Sequence, residues 1–146
     1  MRAAQAASRG KPLTVMVVDI DYFKAINDSH GHDAGDDVLR DFALRIKRSI
    51  RGIDLACRYG GEEFVLVMPE TDMAVAAMVA ERLRRRIAAE PFAIQQGARV
   101  IPVTISIGIA ALRDKADTAS SVLKRADQAL YRAKRDGRNR VVPDAA

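Results

Sequence analysis

Apolar runs and alternations predict four strands and allow a fifth. The first, Leu13–Ile20, is continuously apolar until its acidic end, which is typical of a buried central strand. Segments 54–59 and 63–69 read as two strands joined through a Gly-Gly-Glu turn, the usual signal of a hairpin. Segment 98–112 predicts one strand, because Val103, Ile105, Ile107 and Ile109 alternate with polar or small residues. The run 139–143 allows a last short strand.

Helical spacing of apolar residues predicts three long helices and one short one. The short helix covers 22–27, directly after the first strand. Segment 34–50 is a long amphipathic helix, and 72–90 and 118–137 have the same 3.6-residue periodicity. Three caps are predicted from residue type: Asp21 and Thr118 as N-caps, and Gly137 as a C-cap.

The element order β-α-α-β-β-α-β-α predicts an α+β fold. A central hairpin with helices returning over one face of the sheet is typical of the split βαβ class. The 146 residues fit a single domain, without repeat, low-complexity segment or internal linker. The first 12 or so residues read as the end of a surface helix.

Composition narrows the partners and the compartment. A net charge of +5 favours an anionic partner, which could be a nucleotide, a nucleic acid or a membrane surface. A single-strand binder needs stacking aromatics, and here aromatics are 5% with no Trp. No apolar run could span a bilayer or form a signal-peptide core. With Cys57 as the only cysteine, read as a small buried residue, a cytoplasmic location is predicted.

Three carboxylates fall where strands end. Asp19 closes the first strand, and Glu62 and Glu63 lie at the hairpin tip, so the three repel unless a cation lies among them. Mg²⁺ binds through one or two carboxylates plus phosphates. Neighbouring strand residues face opposite ways, so Glu62 and Glu63 are expected to have different roles. Gly60 and Gly61 leave the main chain open to a ligand. The alternatives are an exposed acidic turn and a turn that requires positive φ.

Cations and amides surround the same strand end. The free N–H groups at the start of the short helix, with Lys24, form an anion site. Lys134 and Arg138 are a second cationic pair, or else stabilise the end of their helix. Asn27 and Asp36 can read the edge of a guanine, or else cap helices.

The segments "VVDIDYFKAINDSHGHDAGDDVL", "RYGGEEF", "VTISIGIA" and "LKRADQALYRAKRDGRN" resemble the GGDEF-domain diguanylate cyclases of the response-regulator type. The resemblance runs from about residue 13 to 142. The family signature admits Asp or Glu at its third position, here Glu62. The resemblance implies condensation of two GTP into cyclic di-GMP with release of two pyrophosphates. It also implies a palm-like, ferredoxin-like core in which helices surround a mainly antiparallel sheet.

The resemblance assigns roles residue by residue. It makes Asp19, the Ile20 carbonyl and Glu62 ligands of two Mg²⁺ or Mn²⁺ ions, and Glu62 or Glu63 the acceptor of the hydroxyl proton. It makes Lys24, Lys134 and Arg138 cations that bind the phosphates and stabilise the transition state, with Lys24 counted as catalytic, and the N–H groups of Tyr22 and Phe23 a cradle for the phosphates. Guanine is assigned to Asn27 and Asp36, with His32 nearby, and the ligand approaches the main chain at Gly60 and Gly61.

An inhibitory product site is also implied. The residues "RGID" carry Arg51 and Asp54 in the RxxD spacing that binds cyclic di-GMP in this family, and Arg82 matches a further arginine of that site. Arginine can pair with guanine O6 and N7, and the carboxylate with guanine N–H groups. The alternative is an ordinary exposed Arg–Asp pair.

One departure affects the expected activity. The segment similar to "DPLTGLxNR" that usually precedes the first helix is missing, as is an input domain, which suggests a fragment. Each domain of this family holds one GTP, so catalysis needs a second domain in a transient homodimer. The alternatives are a silent module that senses GTP or cyclic di-GMP and, less favoured, a basic nucleic-acid binder. Neither nucleic acid nor direct membrane contact is expected.

Overall fold

A computed structural model describes residues 11–114 and 117–145 of the chain. The helix end predicted for the first residues lies outside these ranges, except for Lys11 and Pro12, which precede the first strand without regular structure. The elements in chain order are β1 Leu13–Ile20, α1 Phe23–His30, α2 His32–Ser49, β2 Leu55–Arg58, β3 Glu63–Pro69, α3 Met73–Ala89, β4 Phe92–Ile94, β5 Arg99–Ile101, β6 Ile105–Ala111, α4 Ala119–Arg135 and β7 Arg140–Pro143.

The main sheet has the strand order β2-β3-β1-β6-β7. Its pairs are antiparallel except β6–β7, which is parallel. β1 is central and buried at all eight positions, because it is flanked by β3 and β6 and covered on both faces. The predicted α+β class with a mainly antiparallel sheet is confirmed.

Helices cover both faces of the sheet, which confirms the expectation that helices surround it and corrects the suggestion from element order that they cover one face. Apolar residues of α2 and α3 pack with Met16, Val18 and the isoleucines of β6 on one side. On the other side α4 packs on Val15, Val17 and their neighbours. At Gly108 the backbones of α4 and β6 nearly touch: a Cβ there would lie 2.2 Å from Ala126 O.

The segment 98–112 is two strands rather than one. Its first part, β5, pairs with β4 in a separate two-stranded hairpin that the sequence did not predict. The hairpin turns through Gln95, Gln96 and Gly97, all at positive φ. Pro102 has no N–H to donate and lies between β5 and β6, where a ladder of hydrogen bonds cannot continue.

Two local predictions also change. β2 is an edge strand exposed at all four residues, so Cys57 is exposed and the prediction of burial was wrong. Asp21 does not cap α1, because Tyr22 takes the N-cap position at φ 56°. Thr118 does cap α4 in a capping box with Ser121. α4 ends at Arg135 with Asp136 as its C-cap, and Gly137 follows at φ 124°. Across residues 11–114 and 117–145, no helix combines the length and the apolar character needed to cross a membrane.

Candidate active site

The acidic end of β1 meets the tip of the β2–β3 hairpin. Asp19 lies opposite Glu63 in the antiparallel register, and Ile20 N–H donates to Glu62 O at 3.4 Å. A cleft of about 420 Å³ opens there. Eight of the predicted site residues line this cleft: Asp19, Ile20, Tyr22, Phe23, Lys24, Glu62, Lys134 and Arg138.

Asp19 is the most deeply buried charge of the cleft, with 4% of its surface exposed. Its Oδ2 forms an ion pair with Lys134 Nζ, whereas Oδ1 is buried without a hydrogen-bond partner in the part of the chain that the structure describes. Burial raises the pKa of Asp19, and the hydrogen bond and charge of Lys134 only partly offset this. A buried carboxylate oxygen without a donor is suited to a cation.

Glu62 and Glu63 take different positions, although the reason is not strand alternation, because only Glu63 is a strand residue. Glu62 lies in the turn and lines the cleft, whereas Glu63 begins β3 and does not line it. Burial raises the pKa of both carboxyl groups, and the charge of Asp19 raises both further. Asp127 on α4 adds to the effect at Glu63. Burial and the charge of Asp19 therefore act on both glutamates, although only Glu62 lines the cleft.

The donor set suits a hard divalent cation bound together with phosphate. Within residues 11–114 and 117–145, no group of three or more His, Cys, Asp or Glu side chains could hold a metal alone. The predicted ligands are two carboxylates and the Ile20 carbonyl, and Mg²⁺ typically completes its shell with substrate phosphates and water. The unpartnered Oδ1 of Asp19 provides an oxygen for it. The residues present therefore fit Mg²⁺ or Mn²⁺.

The cationic side of the cleft combines a helix start with two basic side chains. α1 begins after Tyr22 without a side-chain cap, so its first N–H groups lack a side-chain acceptor. Lys24 lies in its first turn. Arg138 stacks over the Tyr22 ring at 4.6 Å from Cζ to the centroid. This side of the cleft can take an anion.

The predicted guanine readers lie at the junction of α1 and α2. Asn27 packs so closely on Gly35 that a Cβ at Gly35 would lie 1.9 Å from Asn27 Oδ1. Asp36, the next residue, lines a second cleft of about 870 Å³ between α2 and β2. His32 is the exposed first residue of α2 and lines neither cleft. The packing of Asn27 thus explains a glycine that the sequence did not single out.

The turn glycines do not adopt positive φ, so the view that the turn requires it was wrong. Arg58 holds the turn instead, donating to Gly60 O at 3.2 Å and to Gly61 O at 2.6 Å. A Cβ at Gly61 would meet no atom within 4 Å. The space over the turn is therefore open.

The predicted inhibitory residues are only partly brought together. The Arg51 guanidinium donates twice to Asp54, Nη2 to Oδ1 at 2.8 Å and Nε to Oδ2 at 3.2 Å, and the Arg51 main-chain N–H donates to Oδ2 at 2.9 Å. The Asp54 side chain is 1% exposed, so a ligand could reach its carboxylate only after the pair opens. Both residues line the larger cleft with Asp36. Arg82 is exposed on α3 and does not line that cleft.

Two acids were missed. Asp28 lines the smaller cleft, and Asp21 is buried beside Asp19 with three hydrogen bonds to its carboxylate. The "DID" motif at the strand end places Asp21 two residues after Asp19, and this spacing could have indicated a second acid at the site. The residues that donate hydrogen bonds to Asp21 lie more than 80 residues away in the chain, so the sequence did not reveal them.

Comparisons with known proteins show the family of this chain. Residues 1–140 match the family described as diguanylate cyclase, GGDEF domain. The chain is 51% identical over 142 residues to the response regulator PleD of Caulobacter vibrioides, covering 97% of this chain and 31% of PleD. It is 43% identical over 136 residues to diguanylate cyclase A of Treponema denticola, covering 93% and 36%. The chain thus spans about a third of the length of these curated relatives.

Solved structures of GGDEF and GGEEF domains have the same fold as this chain. The GGDEF domain of DgcB from Caulobacter crescentus, in complex with c-di-GMP, superposes with a TM-score of 0.93 at 37% identity, covering 99% of this chain and 83% of that one. The active GGEEF domain of a diguanylate cyclase from Vibrio cholerae gives 0.89 at 37% identity, covering 99% and 92%.

Proposed function

Since this chain belongs to the family of diguanylate cyclase GGDEF domains, we propose that it condenses two GTP into cyclic di-GMP and releases two pyrophosphates. One observation carries the proposal: the cleft at the end of β1 combines the Asp19 oxygen that has no partner among the described residues, the Glu62 carboxylate and three cationic side chains. Phosphoryl transfer needs such a mixture, because a metal and a polyphosphate must be held together.

The triphosphate is assigned to the basic side of the cleft. The N–H groups of Tyr22 and Phe23, at the start of α1, point the positive end of the helix dipole at the phosphates. Lys24 adds a charge there, and Lys134 and Arg138 approach from the end of α4. Arg138 offers a planar fork that matches two phosphate oxygens.

The guanine is assigned to the junction of α1 and α2. The Asp36 carboxylate accepts hydrogen bonds from the ring N–H and the exocyclic amine, and the Asn27 amide pairs with the same edge. The close packing of Asn27 on Gly35 holds that amide in place. His32 lies at the same helix start, and the open main chain at Gly60 and Gly61 leaves room for the nucleotide.

Asp19, the Ile20 carbonyl and Glu62 would hold two Mg²⁺ or Mn²⁺ ions in each half-site. Bound metal activates the attacking 3′-hydroxyl and neutralises phosphate charge. Lys134 neutralises Asp19 in this structure. When Lys134 turns to a phosphate oxygen, it leaves both Asp19 oxygens free as ligands.

Glu62 or Glu63 accepts the proton of the 3′-hydroxyl. In the metal-free protein, burial above all raises the pKa of each carboxyl group, so each takes up a proton more readily than an exposed glutamate. Single Glu62→Gln and Glu63→Gln variants distinguish them when turnover is measured against pH. The base is the glutamate whose replacement removes the fall in turnover that its protonation causes at low pH.

One domain supplies one GTP, so the reaction takes place between two domains in a transient homodimer. Cyclic di-GMP then inhibits by binding at Arg51 and Asp54, whose mutual pair must open, with Arg82 contributing from α3. The enzyme is placed in the cytoplasm, with GTP as substrate and without a nucleic-acid partner.

The deciding experiment incubates the chain with GTP and Mg²⁺ over a wide range of protein concentration and measures cyclic di-GMP by chromatography. Product that rises faster than linearly with protein, and is lost in Glu62→Ala/Glu63→Ala, supports the proposal. If GTP or cyclic di-GMP binds but no product forms, even when two copies are joined artificially, the proposal is wrong and a silent sensing module is the better account.

A further inference from the structure

Asp21 is a buried carboxylate to which the reaction above gives no role. It is 5% exposed. Its Oδ1 accepts from Ser106 Oγ at 2.6 Å, and its Oδ2 accepts from Thr104 Oγ1 at 2.7 Å and from the backbone N–H of Asn139 at 2.9 Å. Both oxygens are therefore used, and one of the three donors is an amide that cannot reverse its role.

The bond to Asn139 secures a loop of unusual conformation. Gly137, Arg138 and Asn139 have φ values of 124°, 64° and 47°, three consecutive residues in the left-handed region. Only glycine adopts this region freely, so Arg138 and Asn139 hold it at an energetic cost that their surroundings must offset. Arg138 N–H donates to Ala133 O at 2.9 Å, which secures the side of the loop next to α4. Asp21 secures the other side.

A second contact holds Asn139 from the opposite direction. Arg84 Nη1 donates to Asn139 Oδ1 at 2.9 Å. Glu81 orients Arg84 through two hydrogen bonds, of 2.7 and 2.8 Å. Asn139 is thus fixed to β1 through its main chain and to α3 through its side chain, which leaves its neighbour Arg138 little freedom.

This clamp determines where Arg138 lies. Its guanidinium is stacked on Tyr22, the residue that follows Asp21, and both line the cleft beside Asp19. We propose that Asp21 is a positioning residue that holds Arg138 at the phosphate end of the cleft through the main chain of Asn139. This role rests on the proposed function only in giving Arg138 a nucleotide phosphate to bind.

The negative charge of Asp21 acts unfavourably on the neighbouring Asp19 carboxylate. Burial above all raises the pKa of Asp19, and the nearby charge of Asp21 adds to it. The three hydrogen bonds that the Asp21 carboxylate accepts explain why an acceptor is needed at this position. An Asn side chain could present its oxygen to the Asn139 amide and its NH₂ to the Ser106 hydroxyl, which can also accept.

The test measures affinity for the GTP analogue with a methylene bridge between the α- and β-phosphates, which cannot release pyrophosphate. Calorimetry compares the whole wild-type chain with Asp21→Ala, Asp21→Asn, Arg138→Ala and the double variant Asp21→Ala/Arg138→Ala. Thr104→Val is the matched control, because it removes one bond to the same Asp21 oxygen and keeps the bond to Asn139.

Loss of a hydrogen bond that positions a charged group predicts about tenfold weaker binding for Asp21→Ala. Asp21→Asn and Thr104→Val should bind within about threefold of the wild type. In the Arg138→Ala background, Asp21→Ala should add less than about twofold, because the residue that it positions is gone. An equal loss in both backgrounds, or Asp21→Asn as weak as Asp21→Ala, would overturn the proposal.

A second readout needs no nucleotide. Hydrogen exchange at the Asn139 amide should be slow in the wild type and in Thr104→Val, and faster in Asp21→Ala. Unchanged protection in Asp21→Ala overturns the proposal. If the wild type binds no analogue, the proposed function fails instead, and this readout still decides the role of Asp21. If Asp21→Ala does not fold, Arg84→Met tests the same loop, because Arg84 holds the Asn139 side chain. Arg84→Met should weaken analogue binding in the wild-type background and should have no further effect in the Arg138→Ala background. An equal loss in both backgrounds would overturn the proposal.

Discussion

The two ends of α4 handle buried charge in opposite ways. Before its N-terminus, Asp117 is paired with Arg125, and Arg125 also donates to Asp144 at 2.8 Å. Arg113 donates to Asp144 at 2.9 Å and Ser121 to Asp117, so both oxygens of Asp117 and Oδ2 of Asp144 accept hydrogen bonds. At the C-terminal end of the helix, Lys134 binds one oxygen of the Asp19 carboxylate. The other Asp19 oxygen has no partner among the described residues.

The pKa shifts record the same difference. At Asp117, burial raises the pKa, but hydrogen bonds from Ser121 and the Arg113 main chain, with the Arg125 charge, outweigh it and lower the pKa. At Asp19, burial prevails over Lys134. One end is therefore organised to stabilise the fold, and the other keeps a charge poorly satisfied, as functional sites often do.

The largest effect is expected at the poorly satisfied end. Asp19→Asn should lower cyclic di-GMP formation by about a thousandfold, the upper range for loss of one group that stabilises transition-state charge. Its melting temperature should not fall, because the change removes a buried charge with an unpartnered oxygen. Product assays and thermal melts measure both, with the exposed Glu90→Gln as control. A large loss of stability would mean that Asp19 is a structural residue.

The opposite end should respond in the opposite sense. Arg125→Met leaves the nearly buried Asp117 and Asp144 without their shared cation and should lower the free energy of unfolding by about 3 kcal/mol. Affinity for the GTP analogue should stay the same. Urea denaturation measures the stability, and the exposed Arg135→Met should cost less than about 0.5 kcal/mol. Weaker nucleotide binding in Arg125→Met would show that the two ends are coupled.

A change at the middle of α4 should affect both ends together. In Gly108→Ala the new methyl group would overlap the backbone of Ala126 and Leu130, so α4 must move away from β6. This should cost about 2 kcal/mol of stability and also weaken binding of the analogue, because Lys134 and Arg138 follow the helix. Gly52→Ala, where a Cβ meets nothing within 4 Å, is the control. Stability equal to wild type would mean that α4 adjusts without strain.

The smallest effect depends on pH. Because the folded-state pKa of Asp117 is lowered, its stabilisation is present above the unfolded pKa of about 3.9 and is lost as pH falls through the lower folded value. Asp117→Asn should therefore cost about 1 kcal/mol at neutral pH, the net value of a hydrogen bond, and nothing in strong acid. Melts from pH 7 downward test this. A difference that persists in strong acid would assign the effect to packing.

Most of the fold could be predicted because its signals are local. Apolar periodicity identified β1, the hairpin strands and the long helices, and residue type identified the Thr118 cap. The β4–β5 hairpin was missed, since its strands have three residues each and its turn depends on glutamines at positive φ. The exposure of Cys57 depends on β2 being an edge strand, which strand order alone determines.

The candidate site divides in the same way. The sequence by itself predicted which residues carry chemistry, and eight of them line one cleft, because the acids at the strand end and the cations at and after the end of the last helix are neighbours in short motifs. Only the tertiary structure decided that Asp19 keeps an oxygen unpartnered, that Arg51 and Asp54 neutralise each other, and that Asp21 holds Asn139 rather than capping a helix. These contacts follow from strand register, helix packing and burial, which short motifs do not encode.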